Sequence, residues 1–330
     1  NNRIEIEEEI KKETIDWESI VKVSTSHYVF PALFSNLRNT NLLDHIPEDL
    51  AEYMKHIFTL NLKRNEDILS QAKEVNLLLQ SKNIFPIFLK GTSFLIEELH
   101  SNLGERMIGD IDLLVSEQDF NNAIGILKEY GYNTLKSEKD IIFPSIHYPK
   151  MTKTNSIAAV EIHNKIILNK YSKIYNYNFF EQDRRKIDDF YIPSIKNQII
   201  QNCINKQFSD KGKYYKSFAL RNSYDLFKLS FKEKPKNIIK EEKQLFKTFN
   251  NYLANSYVIF QHKNLDYLRT NSTKINNKLV AILYKNKFLY NINKMFFHLI
   301  LETQIRLDEL IKLTYKPEYR EYFLRKILGK

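Results

Sequence analysis

The chain has 330 residues, room for two domains or one large one with additions, and its 43% apolar and 13% aromatic fractions exclude global disorder. Glycine (7) and proline (8) are scarce beside 20 tyrosines and 22 phenylalanines, which fits a helix-rich protein and argues against a sandwich or a Gly-rich solenoid. The single cysteine, Cys203, excludes an intrachain disulfide and a Cys-cluster zinc site; the net charge of +10 favours an acidic partner such as a nucleotide or RNA, although a solvated basic surface explains it equally well.

Residues 1–83 read as helices. Glu5 to Val23 carries Ile10, Ile15, Trp17, Ile20 and Val21 behind acidic residues that suit a helix start. Tyr28, Phe30, Leu33, Phe34 and Leu37 follow a break, with Pro31 in a first turn. Pro47-Glu48-Asp49 opens a long helix to about Gln80, whose apolar face includes Leu50, Met54, Ile57, Leu60, Leu62, Ile68, Ala72, Val75, Leu78 and Leu79.

Residues 84–165 form the α/β part. Ile84–Leu89 is a strand, Gly91 a sharp strand-to-helix turn, and Thr92–Leu99 a helix. A second strand, Asp110–Val115, is followed by a helix through Phe120, Ala123, Ile124 and Leu127, with Ser116 and Asp119 at its start and Gly131 at its end. Tyr132–Leu135, Ile141–Tyr148 and Ala158–Ile162 are further strands. Residues 166–330 return to helices, among them one after Pro193, one over Ala219–Phe231, and long ones over Ile238–Gln261 and Ile275–Leu313. The expected class is α+β: a small mixed sheet flanked by N-terminal and C-terminal helical regions. No run reaches the roughly 18 apolar residues of a spanning helix. The N-terminal stretch, rich in Glu and Lys, does not read as a signal peptide, so a cytoplasmic protein without membrane attachment is expected.

The chemistry concentrates between Ile84 and Val115. Asp110 and Asp112 lie two apart on a strand, so both carboxylates project from one face. Their neighbours Ile108, Ile111, Leu113, Leu114 and Val115 are apolar. Buried acids are paired or bind metal, and two converging carboxylates suit Mg²⁺ or Mn²⁺. A solvated strand edge is the weaker alternative. Upstream, Lys90-Gly91-Thr92-Ser93 ends a strand and starts a helix. Backbone N–H groups there, with the two hydroxyls and the Lys90 charge, make an anion site. Alone, the stretch would be an ordinary helix N-cap.

FLKGTSFL, then ERMIGDIDLLVSEQDF, then VEIH resembles a stand-alone bacterial nucleotidyltransferase family with a DNA-polymerase-β-like catalytic core. The likeness covers about Leu77 to Asn164 and continues more loosely into ALRNSYDLFKL. It implies that Asp110, Asp112 and Glu161 hold divalent metal, with Glu161 as general base or orienter of the incoming hydroxyl. It implies that Lys90, Gly91, Thr92 and Ser93 cradle the triphosphate. Arg106 would neutralise phosphate charge, or else pair with one of the aspartates. His163, Lys150 and Lys211–Lys216 are adjacent candidates, each with a plain structural or solvated alternative; Arg221 and Asp225, four apart, could pair with each other. Three departures stand out: Gly-Thr-Ser for the usual Gly-Ser turn, Glu rather than Asp as third acid, and no histidine near Asn205-Lys206.

The implied reaction transfers NMP from an NTP to a hydroxyl and releases pyrophosphate. The acceptor could be RNA, particularly a tRNA end, a protein hydroxyl as in AMP transfer, or a small molecule. A nucleotide- or RNA-binding protein without the chemistry is the rival reading.

Overall fold

A seven-stranded mixed sheet runs through the middle of the chain, in the order β3-β4-β5-β2-β1-β7-β6. The computed structural model describes residues 2–12, 14–134 and 146–315, together with 317, 320, 323 and 324. The strands are β1 (Ile87–Phe88), β2 (Asp110–Leu114), β3 (Asn133–Thr134), β4 (Met151–Thr152), β5 (Ala159–His163), β6 (Arg185–Ile187) and β7 (Phe190–Ile192). The fold is α+β. Most of the expected strand Ile141–Tyr148 lies outside the described residues.

The N-terminal helices are α1 (Asn2–Lys11), α2 (Trp17–Ser26), α3 (Phe30–Asn39) and α4 (Glu48–Gln80). Glu5–Val23 is therefore two helices rather than one. Asp16 caps the second by accepting from the Ser19 N–H at 3.0 Å. Within the sheet region α5 (Lys90–Ile96) follows β1, and α6 (Phe120–Glu129) follows β2 and ends at Gly131, whose φ of +87° suits a residue without Cβ.

After β5 come α7 (Tyr177–Glu181), α8 (Ile195–Ile204), α9 (Gly212–Tyr215), α10 (Leu220–Leu229), α11 (Pro235–Glu241), α12 (Phe246–Phe260), α13 (Asn271–Lys285) and α14 (Lys287–Tyr315). The region after residue 165 is not wholly helical. β6 and β7 form a hairpin across Asp188-Asp189, and β7 joins the sheet parallel to β1.

Side-chain alternation divides the sheet into two faces. Phe88, Ile111, Leu113, Val160 and Ile162 point into a core shared with Ile68, Ala72, Val75 and Leu79 of α4 and with Ala123 and Leu127 of α6. Ile87, Leu89 and Leu114 point the other way, into a core built from α8, α10, α11 and α12. A third cluster packs α3 on the first half of α4.

The long helix buries polar side chains as well as apolar ones. Leu60 is exposed, while Asn61 and Asn65 take the inward positions beside it. Asn61 Nδ2 donates to the Gly104 carbonyl at 2.8 Å, and Asn65 Nδ2 donates to those of Leu103 at 2.6 Å and Arg106 at 2.7 Å. Further along, Gln71 both accepts from and donates to the Ala158 backbone. α4 therefore fixes the loop that enters β2 and the residue before β5.

Candidate active site

β2 and β5 run parallel, with Asp112 opposite Glu161 and Leu114 opposite His163. Because Ile111, Leu113, Val160 and Ile162 face α4, Asp110, Asp112, Glu161 and His163 share the other face. That face looks toward α8 and α10 across a cleft of about 320 Å³. Asp112, Glu161 and His163 are buried; Asp110, at the strand end, is partly exposed.

Cationic groups meet the carboxylates. Lys90 Nζ lies 2.5 Å from Asp112 Oδ1 and 3.9 Å from Glu161 Oε2. Lys150 Nζ lies 2.7 Å from Asp110 Oδ2 and 3.1 Å from Glu161 Oε1. His163 Nε2 donates to Asp112 Oδ1 at 2.9 Å, since a carboxylate only accepts. Burial pushes the Glu161 carboxyl up, but the neighbouring His163 and the charges of Lys90 and His147 together outweigh it and hold the group well below the usual carboxylate range. For Lys150, burial works against the charge, and Asp110 and Glu161 more than offset it, raising its pKa.

The carboxylates of Asp110, Asp112 and Glu161 are the oxygen donors that a hard divalent cation takes, and an imidazole is a softer donor. Ligand atoms of Asp112, Glu161 and His163 lie within 4.8 Å of one another. The expected trio was Asp110, Asp112 and Glu161. Among the described residues His163 groups with Asp112 and Glu161, while Asp110 and Glu161 share the Lys150 ammonium.

A family profile described as "uncharacterised nucleotidyltransferase" matches residues 13–241, more than half of the chain. The chain belongs to that nucleotidyltransferase family. Neither the curated proteins nor the solved structures returned a match.

Against this nucleotidyltransferase fold, the residues expected to bind nucleotide separate into two groups. Lys90 and Gly91 line the cleft. Lys90, not Gly91, carries the left-handed backbone of the turn, with φ +51°. Gly91 is required for a different reason: a Cβ there would come within 2.9 Å of the Ile108 side chain. Thr92 and Ser93 do not present their hydroxyls to the cleft. Both residues are fully buried, with Thr92 Oγ1 donating to the Asp110 carbonyl at 3.4 Å and Ser93 Oγ to that of Lys90 at 2.8 Å.

Arg106 lines the cleft but its guanidinium pairs with neither strand aspartate. It forms a bidentate pair with Asp225 of α10, at 2.8 and 2.9 Å, and donates also to the Met107 carbonyl. Burial alone would raise the Asp225 pKa; Arg106 and His100 override that and lower it. Arg221 is therefore not the partner of Asp225, and lies over the Tyr28 ring at 5.0 Å. The Lys211–Lys216 segment contains the short helix α9, preceded by a π-helical turn over Asn205–Ser209 that borders the cleft.

Sequence reasoning left Asn61, Asn65, Gln198 and Gln201 unmarked, because a buried amide carries no local signature until its backbone partner is known.

Proposed function

We propose that this chain transfers NMP from an NTP to an acceptor hydroxyl, with release of pyrophosphate. The observation that carries the reading is the parallel register of β2 and β5, which gathers Asp110, Asp112, Glu161 and His163 on one face of the sheet. Asp112 and Glu161, with Asp110 or His163, would hold Mg²⁺ or Mn²⁺. Such an ion, when bound, supplies charge neutralisation for the polyphosphate and for the leaving pyrophosphate.

The chain's own groups account for the rest. Lys90 and Lys150 are ammoniums already at the carboxylates, placed to meet phosphate oxygens. Gly91 brings the backbone of the turn to the edge of the cleft. Arg106, neutralised by Asp225, orients the approach to β2 rather than binding free phosphate. The acceptor oxygen attacks the α-phosphorus, the new O–P bond forms, and the bond to the β-phosphate oxygen breaks. The hydroxyl proton leaves to Glu161 or to solvent. The depressed pKa of Glu161 suits an orienter better than a proton store.

For the acceptor we favour RNA. Lys211, Lys213 and Lys216 follow the cleft-bordering turn, with Lys213 exposed. Phosphate contacts of this kind make affinity fall steeply with salt. A protein hydroxyl is the competing acceptor. Incubation with each labelled NTP, total RNA and cell lysate, at low and high salt, distinguishes them by which fraction takes label.

The deciding experiment is the Asp110→Asn/Asp112→Asn double variant. Pyrophosphate release should vanish while the far-ultraviolet circular dichroism spectrum and melting temperature remain those of a folded protein. Retained turnover overturns the assignment.

A further inference from the structure

The wall of the cleft across from the carboxylates carries a row of uncharged amides, with Asp210, Arg221 and Asp225 beside them. Gln198, Gln201, Asn202 and Asn205 come from α8 and the turn after it, and Asn222 from α10. Gln198 and Gln201 are three residues apart on one helical face, and they are almost wholly buried, 1% and 2% exposed. Each amide is oriented by a backbone partner that permits only one assignment of N and O. Pro193 offers a carbonyl, so the group facing it at 3.2 Å is the Gln198 Nε2 donor. The Lys90 N–H can only donate, so the atom receiving it at 3.3 Å is Gln201 Oε1.

The other atom of each amide has no hydrogen-bond partner among the described residues. These are an acceptor, Gln198 Oε1, and a donor, Gln201 Nε2. Buried polar atoms are costly when unpaired, and native proteins keep such atoms where something else completes them. Two features say what completes these. The amides are neutral, the guanidinium of Arg106 is already taken by Asp225, and that of Arg221 lies over the Tyr28 ring, so the Gln198 and Gln201 atoms suit an uncharged polar group rather than a phosphate. Gln201 also touches Lys90, whose ammonium is on Asp112, so the wall adjoins the reacting end of the cleft.

We infer that Gln198 and Gln201 read the nucleobase of the donor NTP, Gln198 accepting a hydrogen bond from the base and Gln201 donating one to it. The inference rests on the nucleotidyltransferase reading above. Adenine and cytosine set an amino donor beside a ring-nitrogen acceptor; guanine and uracil set a carbonyl acceptor beside a ring N–H. A fixed donor and acceptor therefore select along that amino/oxo division. The ATP:GTP and CTP:UTP affinity ratios should both lie on the same side of one.

The test is calorimetric binding of the four NTPs and of inorganic tripolyphosphate to the full chain with Mg²⁺. In the parent chain both ratios should depart from one by about tenfold, the discrimination expected of one paired polar contact. Gln198→Leu should collapse both ratios toward one and leave tripolyphosphate affinity unchanged. Gln201→Glu keeps an oxygen toward the Lys90 N–H but exchanges the donor for an acceptor, and should move both ratios to one or past it. Its added charge weakens all four NTPs together and so cancels in the ratios. Unchanged ratios in Gln198→Leu, opposite senses for purines and pyrimidines, or loss of tripolyphosphate and NTPs in parallel would overturn the inference alone. Failure of the parent chain to bind any NTP or tripolyphosphate would overturn the parent reading as well.

Discussion

Lys90 and Lys150 share the Glu161 carboxylate, one reaching on to Asp112 and the other to Asp110, from different environments, and the difference predicts unequal roles. The Lys90 side chain is 29% exposed and that of Lys150 is 54%. A charge that stays in water is screened and contributes little, whereas one held in a desolvated site acts at full strength. Lys90→Met should therefore lower kcat/KM for pyrophosphate release by about 10²-fold or more, the scale of losing a preorganised electrostatic contact. Lys150→Met should cost at most about fivefold, as for a solvent-screened pair. Equal losses, or the reverse order, would contradict the division. Asp225 makes a separate prediction, about stability. Breaking a buried, hydrogen-bonded ion pair leaves its partner uncompensated, so Asp225→Asn should lose about 3–5 kcal/mol in urea titration at pH 7. The Asp225 pKa is lowered in the fold. The paired carboxylate thus stabilises fully above its unfolded value of about 3.9, and that contribution is lost as pH falls through the folded value. The gap between parent and variant should stay constant from pH 7 to pH 5 and shrink below about pH 4.

At the scale of elements, the turn between β1 and α5 is set by contact with the next strand's approach as much as by its own residues. A Cβ at Gly91 would strike the Ile108 side chain, so Gly91→Ala should destabilise by about 1–3 kcal/mol, as overpacking does. Ile108→Ala in the same chain opens that space. The double variant should then be more stable than the sum of the two singles by at least about 0.5 kcal/mol in a double-mutant cycle; strict additivity would mean the clash is not what Gly91 avoids. The same turn marks how far the sequence could be read. The period of two in Asp110-Ile111-Asp112-Leu113 predicted both the strand and the shared face of its acids, because those depend only on local spacing. The start of α4 at Glu48 was legible for the same reason, from Pro47 and the acids after it. Pairing across long separations was not. Arg106 and Asp225 are 119 positions apart, and neither residue's neighbours announce the other. The β6–β7 hairpin did carry a local signal, apolar and β-branched residues on both sides of Asp188-Asp189, with Asp188 at φ +50°. The surrounding Arg and Lys and the following Pro193 masked it. Asn61 and Asn65 were missed because polarity on a helix ordinarily means an outward face, and here it holds the loop before β2.

At the scale of the molecule, the family match ends at residue 241, but the core it belongs to does not. Leu245, Phe249 and Leu253 are almost completely buried in the same cluster as Ile199, Ile200, Cys203 and Leu226. Tyr252 of α12 reaches across to donate to Asn202 Oδ1 at 2.9 Å on the amide wall. α12 therefore closes the helical side of the cleft rather than being appended to it. α14 differs: none of its 29 residues is buried, and Phe288, Met295 and Leu299 are each more than half exposed. Its ties to the body include Asn293 donating to the Tyr214 and Tyr215 carbonyls and the Tyr214–Phe297 ring contact. Two truncations follow from the contrast. A chain ending at residue 241 loses five large side chains of that core, Leu245, Phe249, Tyr252, Leu253 and Leu265, each worth about 1.5–3 kcal/mol of burial, against a typical total stability of about 5–15 kcal/mol. It should show no cooperative melt and should aggregate. A chain ending at residue 286 loses no side chain that is buried among the described residues and should melt cooperatively within a few degrees of the full chain, with faster amide exchange confined to α9, the turn before it and α13. If instead the 241 truncation melts cooperatively, the amide wall does not depend on α12, and the cleft is completed within the matched residues alone.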